Sequence, residues 1–369
     1  MSESKTEVLL ADENSEKIDS TVISFINLKG GVGKTSSAIN IADDLSRKGY
    51  NVLVIDMDPQ FNATQALLNH QYRYQNSIID AELLREVKKE LAEKFEAEES
   101  EDTDSTSQIS EEDASHFNQD ENYKKEISAQ LIYNKLKSKG MTVRTLFTSE
   151  GVVDPLENPA LIYKIKENLD LIPGDLDLFE SLYGDTTGKH NVLEDHFDAY
   201  AFRNTYHYII IDCPPNWTIL TQASLFASDY YVIPSKIDLF SSVGIGLLEN
   251  LVNTTFYEKK SGIYKMYSVY RRELSRKPIK SLGVLFTLTH EMTIADKLKE
   301  RLQRTIPQSF FETEIPYHSS VPLKFSLYEE SGSKHETLKN SISRVVNEIT
   351  KKIDKLDEVE KKEQKVEEG

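Results

Sequence analysis

The chain has 369 residues, 38% of them hydrophobic, a single cysteine and a formal charge of −17. That is apolar material enough for a large core. It has too few thiols for a disulfide framework or a cysteine-held cluster, and its charge balance taken as a whole argues against a nucleic-acid partner. The opening residues "MSESKTEVLLADENSEKIDS" lack a basic region followed by an apolar core, and no run of about 18 apolar residues occurs, so a protein of a reducing cytoplasm is expected.

Residues 1–20 read as a polar extension, residues 21–356 as one folded unit and residues 357–369 as a charged tail. Within the unit, short β-branched runs alternate with helical patterns, which predicts a doubly wound α/β fold: a mostly parallel sheet flanked by helices. The expected strands are "TVISFINL" from Thr21, "NVLVID" from Asn51, "LDLI" from Leu169, "YIIID" from Tyr208, "YYVIP" from Tyr230 and "SLGVLF" from Ser281. A helix is expected from Lys34 to Arg47. The charge is concentrated in one place: Asp80 to Glu126 holds 17 acidic and 6 basic residues, leaving only −6 for the rest. This stretch lies in an insertion over about residues 70–140 and reads as largely disordered, with a helix over Ala81 to Ala97. Near the C-terminus, Ile342, Val345, Val346, Ile349, Ile353 and Leu356 fall on one helical face, which predicts a helix docked on the sheet rather than one lying on a membrane.

Three motifs carry chemistry. In "INLKGGVGKTSS" a strand leads through Gly30, Gly31, Val32 and Gly33 into a helix, so that backbone amides and the helix N-terminus face an anion. Lys34 would reach the β and γ phosphates, and Thr35 would bind magnesium. An ordinary phosphate loop has glycine at position 28; here Leu28 stands there, with Lys29 beside it. In "VIDMDPQFNAT", Asp56 and Asp58 are two apart and share a strand face, suited to metal and water. In "YHYIIIDCPPNW", four apolar residues lead to Asp212, a second acidic strand end able to support magnesium. Cys213 reads as a small buried residue rather than a nucleophile.

These segments, with "NLDLIPGDLDL" and "TEIPYHSSV", resemble the ParA/MinD family of phosphate-loop ATPases, whose hallmark is K-G-G-x-G-K-[ST]. The match runs in order from about Thr21 to Glu348. The resemblance implies a P-loop NTPase fold with ATP and Mg2+ as cofactors. It makes Lys29 a cation that crosses a homodimer interface to the partner's triphosphate. Lys34 is then the phosphate residue, Asp58 the water-positioning residue, and Thr35, Asp56 and Asp212 the magnesium supports, with Ser36 and Pro316 also at the nucleotide. Phe61 departs from the glycine common after "DPQ", and the insertion is outside the family pattern.

Among the branches, the single cysteine excludes an iron–sulfur reductase, and one phosphate loop excludes the duplicated arsenite-pump type. No tyrosine follows Tyr328, and no cationic membrane helix is expected. The DNA-partition branch remains, acting with a ParB-like centromere-binding partner on the nucleoid. A positioning ATPase for protein cargo and a noncatalytic nucleotide-switched scaffold are the alternatives. From Phe256 to Lys280 there are eight basic residues against two acidic, interleaved with Tyr257, Tyr264, Tyr267 and Tyr270. Lys259, Lys260, Arg271, Arg272, Arg276 and Lys277 are the expected contacts to double-stranded DNA, without sequence preference. Lys297, Lys299, Arg301 and Arg304 would extend that patch. The short N-terminal extension leaves no room for an operator-binding helix-turn-helix domain.

Overall fold

Strands made almost wholly of Val, Ile and Leu cannot leave either face to water, so helices must cover both. The computed structural model describes residues 18–74, 89, 121–148, 160–182, 188–238, 240–290, 293–319 and 326–367. Its strands are β1 (Thr21–Phe25), β2 (Val52–Asp56), β3 (Tyr163–Lys166), β4 (Leu169–Ile172), β5 (Tyr208–Asp212), β6 (Tyr230–Ser235), β7 (Lys280–Thr289) and β8 (Ile315–Pro316). They form a sheet in the order β3-β4-β2-β5-β1-β6-β7-β8. Every neighbouring pair is parallel except β3 with β4. All six expected strands are present. The two edge strands are additions to that expectation: β3 is only "YKIK", and β8 has two residues, too short for alternation to mark.

The helices are α1 (Lys34–Arg47), α2 (Asn62–Tyr74), α3 (Glu121–Ser138), α4 (Thr145–Thr148), α5 (Val192–Ala199), α6 (Phe202–Thr205), α7 (Ile219–Ala227), α8 (Ser241–Phe256), α9 (Gly262–Glu273), α10 (Thr293–Thr305) and α11 (Glu336–Glu367). Alternate residues of each strand feed opposite cores. Ile23, Phe25, Val52, Val54 and Ile210 pack under α1, α2, α3 and α11. Val22, Leu53, Ile55, Ile209 and Ile211 pack under the helices α4 to α10. The period of two in the strands thus decides which helix each residue meets.

Two expectations need correction. Residues 121–138 fall in the expected insertion yet form α3, whose Ala129, Ile132, Tyr133 and Leu136 are buried against α2. The charge balance hides this apolar stripe, because the acidic residues lie before it. The expected helix over Ala81 to Ala97 lies outside the described residues, apart from helical Lys89, as does most of the acidic stretch. The charged tail after Leu356, expected to lie outside the folded unit, instead continues α11 to Glu367. Its apolar stripe does stop there, and Glu and Lys, good helix formers, carry the remaining turns.

Opposite the carboxyl ends of the strands lies a buried ion cluster. Arg203 forks onto Glu194 at 2.7 and 2.8 Å and reaches Asp229 at 3.0 Å. Arg271 of α9 takes the other Asp229 oxygen at 2.9 Å and donates to the Ser228 carbonyl. Burial pushes the Asp229 carboxyl up, but Arg203, Arg271 and Arg276 outweigh it and hold it below its ordinary value. A lowered folded-state pKa means that this contribution is present above the unfolded value of about 4 and is lost as pH falls through the folded one. Asp229→Asn should therefore lower the unfolding free energy in urea by about 3 kcal/mol at neutral pH, with the deficit shrinking below about pH 4. A variant as stable as the parent at pH 7 would refute this reading of the cluster.

Candidate functional site

Parallel register brings the acidic strand ends together. Asp56 of β2 pairs with Asp212 of β5, and Asp212 in turn stands beside Phe25, the last residue of β1. Neighbouring parallel strands lie about 4.8 Å apart, so two carboxylates share the sheet edge from which the glycine loop departs. Both are fully buried, and Asp58 is 8% exposed.

The loop itself is pinned from several sides. Asn27 donates to the Pro234 carbonyl at 2.8 Å and accepts from the Lys29 amide at 2.9 Å. The Thr287 hydroxyl on β7 donates to the Val32 carbonyl at 2.6 Å. Gly31 and Gly33 have φ of 65° and 78°, the left-handed region that turns the chain tightly into α1. Gly33 is the residue that caps α1. Val32, Lys34, Thr35 and Ser36 are buried, while Lys29, Gly30 and Gly31 are exposed. Lys34 Nζ lies 3.3 Å from the Lys29 carbonyl, a curled arrangement that leaves its ammonium inside the loop.

The expected phosphate and magnesium residues therefore converge. Lys29 does not join them: its ammonium pairs with Asp238 at 2.5 Å, outside the loop, with the lysine side chain 46% exposed. Pro316 on β8 is aligned with Thr289 of β7, two residues beyond the threonine that pins Val32.

Electrostatics at this edge are unfavourable without a ligand. Burial raises Asp212 well above the ordinary carboxylate range, and repulsion from Asp56 adds to it. Neither Asp212 oxygen has a hydrogen-bond partner of ordinary geometry, although the Thr35 hydroxyl is near enough to oppose the shift. Burial pushes Asp56 up to about 7, although Thr64 donates to its Oδ2 through both N–H and hydroxyl at 2.8 Å. Asp58 is raised by burial, with the Gln60 amide and Lys34 opposing the shift. Lys34 is lowered by burial despite Asp212 and Asp58 nearby. Unsatisfied buried oxygens and a hydroxyl are hard donors of the kind Mg2+ takes, and Mg2+ prefers one or two carboxylates plus phosphates to an all-protein cage. Among the described residues no three His, Cys, Asp or Glu side chains cluster to enclose an ion. The donors present fit an ion that brings phosphate and water with it. Burial pushes the Cys213 thiol up to about 12, so it is no nucleophile.

Thr64, Thr287 and Asp238 are site residues that the sequence motifs do not mark. Thr64 lies within the quoted "DMDPQFNAT", but nothing local identifies its hydroxyl as a carboxylate partner. Thr287 and Asp238 act on residues 255 and 209 positions away, which no spacing rule reaches.

The basic segment is only partly what the sequence suggests. Lys259, Lys260 and Arg272 are exposed, and Lys265 shares the face of Arg272, seven residues on. Arg271 is 4% exposed and locked in the ion cluster, so it cannot meet a phosphate. It lies on the inward face of α9, four residues after buried Tyr267. Arg276 pairs with Asp19 at 2.5 Å, and Lys277 with Asp357 at 2.8 Å. The interleaved tyrosines mostly pack. Tyr267 is buried, Tyr270 accepts from Asn191 at 2.7 Å, and half-exposed Tyr257 donates to the Ile279 carbonyl. On α10, Lys297, Arg301 and Arg304 are exposed, and Lys299 pairs with Glu314.

A family model described as an AAA domain, AAA_31, matches residues 20–139 and 132–264, the stretch that holds the glycine loop and the acidic ends of β2 and β5. The chain belongs to this ParA/MinD-like family. It is 25% identical over 226 residues to the chromosome partitioning protein ParA of Caulobacter vibrioides, covering 61% of this chain and 59% of that protein. It is 27% identical over 233 residues to the sporulation initiation inhibitor protein Soj of Bacillus subtilis, covering 63% and 64%. The match thus spans about three fifths of these relatives' lengths. A plasmid partition protein of Borrelia burgdorferi bound to AMPPNP superposes with a TM-score of 0.53 at 19% identity, covering 90% of this chain and 99% of that one. At that identity the likeness is one of fold.

The raised carboxyl of Asp56 sets a test that needs no ligand. Its folded-state pKa of about 7 exceeds the unfolded value of about 4, so the neutral form stabilises the fold at low pH and that contribution is lost as pH rises through 7. Thermal unfolding of nucleotide-free protein should give a melting temperature that falls between about pH 4 and about pH 7, and Asp56→Asn should flatten the decline. An equally steep decline in the variant would place the titrating group elsewhere.

Proposed function

We propose that the protein is a Mg2+-dependent ATPase of the DNA-partition kind. It pairs around ATP, holds DNA without sequence preference, and hydrolyses ATP when a ParB-like centromere-binding partner stimulates it. The observation that carries this reading is the set of buried ionisable groups at one sheet edge, Lys34, Asp56, Asp58 and Asp212, the last with both oxygens unpartnered, facing a pinned glycine loop with an exposed lysine beside it. The amides of Gly30, Gly31, Val32 and Gly33 and the N-terminus of α1 cradle the phosphates, Lys34 neutralises them, and Ser36 lines the same turn. Thr35, Asp56 and Asp212 would hold Mg2+, directly or through water; bound there, the ion neutralises charge that builds on the phosphates. Asp58 accepts a hydrogen bond from the attacking water and so orients it toward the γ phosphate.

Lys29 acts in trans. Its contact with Asp238 is a partly exposed ion pair, worth about 1 kcal/mol or less, so exchanging it for a partner's triphosphate costs little. An apolar ridge begins two residues after Asp238: Phe240, Val243 and Leu247 are 76%, 70% and 52% exposed along α8. A ridge of this kind suits a face that meets another protein surface. For DNA, the exposed stripe of Lys259, Lys260, Lys265 and Arg272 is the proposed contact, with Arg301 and Arg304 extending it. No helix among the described residues is long and apolar enough to cross a membrane.

Asp58→Ala should lower partner-stimulated hydrolysis about 100-fold while leaving ATP binding in place, and Lys29→Ala should leave the protein monomeric with Mg2+ and a nonhydrolysable analogue. Turnover and sedimentation read these outcomes; a paired Lys29→Ala protein would remove the trans role. Changing Lys259, Lys260 and Arg272 to Ala should weaken DNA binding alike on unrelated sequences and reduce the salt slope by about one for each DNA phosphate left unneutralised. If retention and slope are unchanged, the DNA surface is elsewhere.

A further inference from the structure

Helix α3 belongs to the insertion, for which neither the motifs nor the proposed reaction supplies a use. It is nevertheless built into the acidic loop at two points. The ring of Tyr133 lies flat on that of Phe61, with centroids 4.7 Å apart and planes 6° from parallel. Phe61 itself sits at φ 39°, a left-handed conformation that favours glycine, and its amide donates to the Asp58 carbonyl at 2.8 Å. A bulky residue holds such a backbone only where its surroundings over-determine it, and here Tyr133 is the flat surface on which its ring rests.

The second point lies after β4. Lys137 of α3 meets Asp177 at 2.7 Å and Asp175 at 3.5 Å, and Thr142, just beyond the helix, donates to Asp175 at 2.7 Å. The Tyr133 hydroxyl accepts from the Leu176 amide at 3.4 Å. This fixes the turn containing Gly174, whose amide donates at 2.8 Å to the Thr64 hydroxyl that holds Asp56. A Cβ on Gly174 would stand 3.0 Å from Asp56 Cγ and 3.1 Å from Phe61 Cβ, so only glycine leaves room for the turn to lie this close to Asp56 and Phe61.

We propose that Tyr133 is a positioning residue for the reaction: through Phe61 on one side and the Gly174 turn on the other, it fixes the loop that carries Asp56 and Asp58. The inserted helix thereby becomes a handle by which anything that shifts α3 changes turnover. The inference rests on the ATPase reading above, because positioning has a rate to act on only if Asp58 does.

The test uses the full chain with Mg2+ and ATP. Tyr133→Ala should lower kcat about tenfold with KM for ATP little changed, since the phosphate loop is untouched. Tyr133→Phe, which keeps the stacked ring, should restore most of the rate. In a Phe61→Gly background, Tyr133→Ala should have little further effect, because the two act as one contact. Hydrogen exchange at amides 58–64 should accelerate in Tyr133→Ala while β1 and α1 keep their protection, a readout that needs no hydrolysis. A lowered melting temperature with unchanged kcat and unchanged exchange at 58–64 would overturn the proposal, as would additive effects of the two substitutions. Asp58→Ala with undiminished turnover would instead remove the water-positioning role of Asp58, and absence of any turnover in the parent chain would remove the ATPase assignment, either of which leaves the exchange result standing.

Discussion

Charges buried at the carboxyl ends of β2 and β5 dominate this structure. Two carboxylates on adjacent strands, with a third two residues on, are buried there, and among the described residues Lys34 is the lysine inside the loop that opposes them. Desolvation, with repulsion among neighbouring carboxylates as a lesser cause, keeps Asp56 and Asp212 protonated more readily than ordinary acids. Such an edge is costly in the free protein. On the proposed function, a cation arriving with its own anions would offset that cost, the balance expected where function rather than stability has set the residues.

The contrast with the buried cluster below the sheet is informative. There Arg203 forks onto Glu194, and Arg203 and Arg271 each take one oxygen of Asp229 and hold it below its ordinary value. Both sites hold buried charge. One is closed upon itself and structural, while the other is left open toward solvent-exposed glycines. Arg271 belongs to the first kind, which is why a stretch that reads as uniformly basic in the sequence divides in space into an inner, structural half and an outer, accessible one.

Much of the site is legible in the sequence because its signals are local. The glycine loop, the start and end of α1, and the strands bearing Asp56 and Asp212 all announce themselves within about a dozen residues through period and turn chemistry. What such signals cannot reveal is what the fold brings from afar: Thr287 beneath Val32, Asp238 beside Lys29, Gly174 against Asp56. Composition also misleads. The acidity of residues 80–126 masks the apolar stripe that begins almost where the acidic run ends, and with it helix α3. The short edge strands β3 and β8 are invisible for a different reason, having too few residues for a pattern.

The packing of α1 has an implication for biosynthesis. Its residues from Lys34 to Ser46 are buried, and its outer side is closed by α11 and the segment before it: Asn40 accepts from the Tyr328 amide at 2.7 Å, across 288 positions of sequence. A ribosome must therefore have translated some nine tenths of the chain before the helix that presents the phosphate-binding amides can be sealed. Contacts of that sequence separation form late and slowly. Sealing of α1 therefore waits on residues around Tyr328, however early the sheet itself assembles.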